Sequence, residues 1–277
     1  TDWRQHLFSL VSGGTSIAAL FLAGYIPGLL MGLSLMVVAG IIAKRRGYSV
    51  SSKPSCAQIW DTTVKALPSL LLVILIMGGI IGGIFTATEA SAIAVIYTLV
   101  LAVLIYREVS LKQLPKIVLE SAITTSIVLL LVGASMGMSW AMANADIPYM
   151  ISDALLAISD NPLVLLLIIN IILLIVGIFM DMTPAVLIFT PIFLPIALDL
   201  GIDPVHFGVM MTFNLAIGIC TPPVGSALFV GCSVANISID KVIKLLLPFY
   251  AAMFISLMLV TYIPQLSLWL PQILLGY

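Results

Sequence analysis

The chain has 277 residues, of which 8% are charged and 62% hydrophobic, with a mean hydropathy of +1.25. Soluble domains carry about a quarter charged residues, so the composition excludes an ordinary soluble enzyme and reads as an all-α polytopic membrane protein, with no nucleic-acid partner expected. The net charge of -1 decides little, because charge placement rather than balance sets topology.

The opening "TDWRQHLFSL" lacks a basic stretch followed by an uninterrupted apolar core, so no cleavable signal peptide is expected. Residues 15–43 are apolar and long enough to span a bilayer, which takes about 20 residues. They end in the polar segment "KRRGYSVSSK" at 44–53. Two more apolar blocks, 67–85 and 90–106, are divided by the short turn "TATE" and followed by "REVSLKQLPK" at 107–116. The positive-inside rule puts both basic segments on the cytoplasmic side with two spans between them. Glu89 in "FTATEASA" belongs in the first turn of the following helix, with Thr86 or Thr88 as its cap.

Residues 117–240 contain no lysine or arginine, while acidic residues persist at Glu120, Asp146, Asp153, Asp160, Asp181, Asp199, Asp203 and Asp240. Charge therefore gives no orientation there. In "VGASMGMS", residues 132–139, the small residues Gly133, Ser135, Gly137 and Ser139 suit either close helix packing or a hairpin tip lining a site. A last apolar run, 245–263, follows Lys241 and Lys244.

Two segments in this region break an apolar run in the same way. "GIFMDMTPAV" (177–186) and "IGICTPPVGSA" (217–227) each join a glycine to a Thr-Pro pair. Pro184, Pro222 and Pro223 remove backbone donors, so each helix is expected to unwind at membrane depth. Unsatisfied backbone in hydrocarbon costs several kcal/mol per group, roughly, so such breaks persist where protein, water or a bound ion satisfies them. Paired broken helices mark ion and substrate sites in transporters.

Asp181 is the only charged residue between Asp160 and Asp199, and the nearest basic residues along the chain are Lys116 and Lys241. Three readings stay open. A hard cation such as Na+ would accept the Asp181 carboxylate, the Thr183 hydroxyl and carbonyls freed by Pro184. Asp181 could instead cap a helix beginning at Pro184, or pair with a basic residue on another chain. For Thr221 and Gly225 in the second break, the alternative to ion binding is a plain membrane-embedded turn.

No enzyme is expected. Aspartyl chemistry needs two carboxylates in one site, His206 lies near an expected loop, and no P-loop is present. His6 and His206 read as loop or interface residues, and Cys56, Cys220 and Cys232 as small core residues.

The segments "TSIAALFLAGYIPGLLMG", "GGIIGGIFTATEASAIAVIYTLVLAVLIYRE" and "GIFMDMTPAVLIFTPIFLPIALDLGIDPVHFGVMMTFNLAIGICTPPVGSALFV" resemble the large, DctM-like membrane subunit of tripartite ATP-independent periplasmic (TRAP) transporters. The resemblance covers about residues 13–264. It implies a secondary transporter of the bacterial inner membrane, built from inverted repeats with re-entrant hairpins and discontinuous helices, moving by an elevator-like step. It further implies Na+ as coupling ion, a small membrane subunit, and a periplasmic binding protein delivering a dicarboxylate, keto acid or sialic acid. Carried onto this chain, it makes Asp181, Thr183, Thr221, Gly225, Gly133 and Ser135 the ion-binding residues, with 129–148 as the hairpin region. The expected organisation is an atypical lead-in at 1–14, scaffold-like helices at 15–116, a second-repeat transport region at 117–240, and a C-terminal helix and tail at 241–277. Family members carry a first repeat that this chain is expected to lack, so the alternative is a truncated, transport-inactive fragment.

Overall fold

The computed structural model describes residues 14–47, 55–159, 161–223, 225, 227–228, 231–232 and 237–276. The expected lead-in therefore lies almost wholly outside the described residues. Among those described there is no strand, and seven helices are long and apolar enough to cross a membrane by length and composition.

In chain order the helices are α1 (Ile17–Ala23), α2 (Tyr25–Arg46), α3 (Cys56–Ile81), α4 (Ala87–Val100), α5 (Leu114–Asn144), α6 (Ile147–Leu156), α7 (Pro162–Phe179), α8 (Met182–Asp199), α9 (Pro204–Gly218), α10 (Ile239–Tyr262) and α11 (Gln265–Leu275). A π-helical turn, Leu101–Ile105, prolongs α4. The residues form two compact units, one joining the chain up to Arg45 with everything from Leu130 onward, the other running Arg46–Leu129.

In the Arg46–Leu129 unit, two helices lie between the basic segments, the number the positive-inside reading requires. The first starts at Cys56 rather than at residue 67, because a capping box holds it there. The Gln58 N–H donates to Ser55 Oγ at 3.3 Å, and the Ser55 N–H donates to Gln58 Oε1 at 3.0 Å. Cys56 is consequently an exposed first-turn residue, not a core one. Thr86 and Glu89 form the equivalent box on α4, with Thr86 as the cap. Pro68 lies inside α3, where proline removes a backbone bond and crowds the preceding turn. Two tyrosines donate to carbonyls around it: Tyr97 to the Pro68 carbonyl at 2.8 Å and Tyr106 to that of Lys65 at 3.1 Å.

The other unit is organised around α9. Asp203 caps this helix by accepting from the N–H groups of Val205 (2.8 Å) and His206 (3.3 Å), and Pro204 opens it where no donor is needed. Nearly every residue from Val205 to Gly218 is buried, the mark of a helix surrounded on all sides. It packs against α7, α8, α10, α11 and α1, while α11 packs on α1 and α6 on α8. His206, expected near a loop, is instead buried in the first turn of α9, where it meets the Thr261 carbonyl at 3.2 Å.

The closest approach is between α7 and α9. A Cβ on Gly218 would stand 2.6 Å from both Cα and the carbonyl carbon of Gly177, so the two backbones touch. Asn214, one turn earlier on α9, meets Asn170 on α7. Both pairs ascend the two sequences together, so α7 and α9 run in the same direction and end side by side. Gly218→Ala must force these helices apart, and overpacking of this kind costs about 1–3 kcal/mol. We expect a melting temperature lowered by several degrees, whereas Gly40→Ala, in open space on α2, should leave it unchanged or slightly raised. Thermal unfolding in detergent checks both.

Candidate functional site

Both interruptions begin within one turn of the glycine contact. At the first, α7 ends at Phe179, Met180 is extended, and α8 starts at Met182. The new helix thus begins two residues before Pro184. Proline fits within a first turn, where its missing N–H would have no intrahelical partner in any case. Pro191 and Pro195 lie further inside α8.

Asp181 occupies the N-cap position of α8 with extended backbone, yet its side chain makes no capping bond. The capping reading therefore explains its position but not its carboxylate. That carboxylate is exposed and has no hydrogen-bond or salt-bridge partner among the described residues. Thr183 is buried at 5% exposure in the first turn of α8, and its hydroxyl likewise bonds no described group. No described donor reaches the carbonyls of Gly177, Ile178, Phe179 or Met180. The first break thus gathers a carboxylate, a hydroxyl and helix-end carbonyls, all hard oxygen donors of the kind small cations take. The negative end of the α7 dipole favours a cation there, and the positive end of α8 favours the Asp181 carboxylate.

The second break is closed by comparison. Helix α9 stops at Gly218, and Thr221–Pro223 form a turn. The Ile219 carbonyl accepts from the Ala227 N–H at 3.1 Å, and that of Thr221 from the Gly225 N–H at 3.2 Å. The Cys220 carbonyl accepts from Tyr250 Oη at 2.8 Å, and Thr221 Oγ1 donates to the Ile217 carbonyl at 2.7 Å. Gly225 is buried, and a Cβ there would stand 2.7 Å from the Thr221 carbonyl oxygen, so only glycine fits this turn. The carbonyls expected to be freed by Pro222 and Pro223 are mostly bonded within the protein. An apolar cavity of about 450 Å³, lined by Leu35, Leu228, Phe249, Tyr250 and Met253 among others, lies beside this turn.

Gly133 and Ser135 are placed differently from the expectation of a hairpin tip. Both fall inside the continuous helix α5, and Gly133 is exposed with open space around it. The flanking Leu, Met, Ala and Trp residues let the helix run through both glycines, and the chain leaves it only at Ala145–Asp146, where Asp146 is left-handed. The stretch from Leu130 makes little packing contact with α7, α8 or α9, so the structure does not bring these two residues to the breaks.

Residue-type reasoning passed over the polar groups that tie the broken helices together. Asn170, Asn214, His206 and Thr261 are all buried. Asn170 Nδ2 donates to Thr261 Oγ1 at 3.2 Å, and Asn214 Nδ2 donates to Asn170 Oδ1 at 2.8 Å. The available signal was a single asparagine in each apolar run that leads into a break, "LLLIINIILL" and "TFNLAIG".

Residues 5–266 match the family described as the tripartite ATP-independent periplasmic transporter, DctM component. The chain is 61% identical to the uncharacterised protein YgiK of Salmonella typhimurium over 96% of its own length and 61% of that protein. It is 44% identical to the sialic acid TRAP transporter large permease protein SiaM of Vibrio cholerae, over 98% of this chain and 63% of that one. It is 40% identical to the C4-dicarboxylate TRAP transporter large permease protein DctM of Pseudomonas aeruginosa, over 93% and 60% respectively. The chain thus spans about three fifths of the length of the curated relatives it matches.

Tyr250→Phe removes the donor to the Cys220 carbonyl beside an apolar cavity. Both groups are half-buried, so the loss is of the order of one net hydrogen bond, about 1 kcal/mol, and the melting temperature should fall by a few degrees. Thermal unfolding monitored by intrinsic fluorescence checks this, and an unchanged midpoint would contradict it.

Proposed function

The chain belongs to the family of the DctM component of tripartite ATP-independent periplasmic transporters, a transport family of multi-pass inner-membrane proteins, and from that premise we propose that it works as a large permease subunit importing an organic acid together with Na+. The substrate class is that of the relatives' names, sialic acids and C4-dicarboxylates, with keto acids as a further carboxylate class. Its partners are a small membrane subunit and a periplasmic binding protein. The proposal includes inverted repeats and an elevator-like step.

The single observation that carries the Na+ reading is the Asp181 carboxylate. It sits between two helices long and apolar enough to cross a membrane, at the carbonyl end of α7 and the amide end of α8, with no described partner. An ionised group in such a place marks an ion or substrate pathway. Na+ held by Asp181, Thr183 and the α7 carbonyls would offset the negative charge. Thr221 and Gly225 then form the wall facing that ion, where each bonded carbonyl still has a second lone pair.

The cargo is an anion, and residues 117–240 hold no lysine or arginine. Within this region a carboxylate substrate is therefore met by helix N-termini and by the bound cation rather than by a basic side chain. Na+ would then act as the coupling ion and as part of the substrate's electrostatic environment.

Uptake assays in proteoliposomes containing the protein with its partner subunits test this. Radiolabelled sialic acid and C4-dicarboxylates should enter only with an inward Na+ gradient. Asp181→Asn should lower the rate at subsaturating Na+ about tenfold, equivalent to about 1.4 kcal/mol. Na+-independent uptake that Asp181→Asn leaves unchanged would refute the reading.

A further inference from the structure

Asparagine is costly in an apolar helix, and α7 and α9 each carry one on the face where they meet. Asn214 Nδ2 donates to both the Asn170 backbone carbonyl and Asn170 Oδ1, each at 2.8 Å. Both partners are acceptors, which settles the orientation of the Asn214 amide. Asn170 Nδ2 in turn donates to the Leu166 carbonyl at 3.0 Å on its own helix and to Thr261 Oγ1 at 3.2 Å on α10. Asn170 is 1% and Asn214 0% exposed, so neither bond is exchanged with water.

The position of this pair matters more than its strength. Asn170 precedes Gly177 by seven residues, about 10 Å along a helix, and Asn214 precedes Gly218 by four, about 6 Å. The helices are therefore joined at two separate points, and two points fix both the slide and the rotation of one against the other. A slip of α9 by one residue would carry Thr221 about 1.5 Å along the axis and about 100° around it.

We infer that Asn170 and Asn214 are positioning residues for the cation site, holding the second break in register with the first without touching the ion. This rests on the reading of the Asp181 break as a Na+ site. The glycines set how closely the helices approach, and the amide bonds add the second point that holds them to a single register. Substituting either asparagine should leave Asp181 and its neighbours intact yet shift the end of α9, and the Thr221–Gly225 turn that follows it, relative to the end of α7, weakening Na+ binding.

The test is thermal stabilisation of the purified protein by NaCl, titrated against choline chloride at constant ionic strength. Asn214→Leu, or Asn214→Ser if the leucine variant does not fold, should raise the half-saturating Na+ concentration about fivefold or more. Tyr97→Phe, which removes an interhelical bond in the Arg46–Leu129 unit, serves as the control: it should lower the melting temperature in choline while leaving half-saturation unchanged. Asn214 variants that are destabilised but keep the original half-saturation would overturn the inference. If Asp181→Asn abolishes the Na+ response in the same series, the ion-site reading survives that result. If Asp181→Asn responds to Na+ as the parent does, the ion-site reading and the inference both fall.

Discussion

The fold around the candidate site depends on the contact between Gly177 and Gly218. A Cβ on Gly218 would stand 2.6 Å from the Gly177 backbone, and one on Gly177 would stand 3.1 Å from the Gly218 Cα. Only there can two helices running in the same direction come close enough for their ends to share one level. In a bilayer the hydrophobic effect does not drive helices together, so backbone proximity at small residues and buried polar bonds must do so. Here the glycine crossing and the Asn170–Asn214 pair supply both. Each helix stops within a few residues of this crossing, so this one packing contact brings the two helix ends together.

The breaks differ in what they leave open. Around Thr221 and Gly225, turn bonds and Tyr250 satisfy the carbonyls of Ile219, Cys220 and Thr221. Around Asp181, a carboxylate, a hydroxyl and the last carbonyls of α7 all lack described partners. The arrangement is therefore asymmetric: the described carbonyls of the second break are bonded within the protein, and the first break supplies the donors a cation would complete. This division also accounts for Asp181 standing at an N-cap position without capping: its charge is stabilised by the α8 helix end while its oxygens stay available.

Much of this could be read from residue types. Hydropathy and the basic segments indicated an all-helical membrane chain with two helices between the basic segments, and the two Gly-to-Thr-Pro segments do coincide with helix ends. Helix starts were less legible, because caps decide them: Ser55 and Gln58 begin α3 well before its most apolar part. The small residues at 132–139, which suited either close helix packing or a hairpin tip, illustrate a different limit. Glycine and serine in an apolar run suit a turn, a packing seam or an uninterrupted helix equally, and in α5 the strong helix formers around them prevail. The asparagine pair was hidden for another reason: a lone asparagine means little until its partner on another helix is known, and Asn170 and Asn214 lie 44 residues apart.

In the proposed arrangement the two helix ends, brought together at the glycine crossing, flank one cation held by Asp181. The most direct measurement is an experimental structure of the protein with Tl+ replacing Na+, read by anomalous scattering. A Tl+ peak coordinated by the Asp181 carboxylate is expected. An Asp181 carboxylate paired with a lysine or arginine of another chain, with no peak beside it, would refute the cation site.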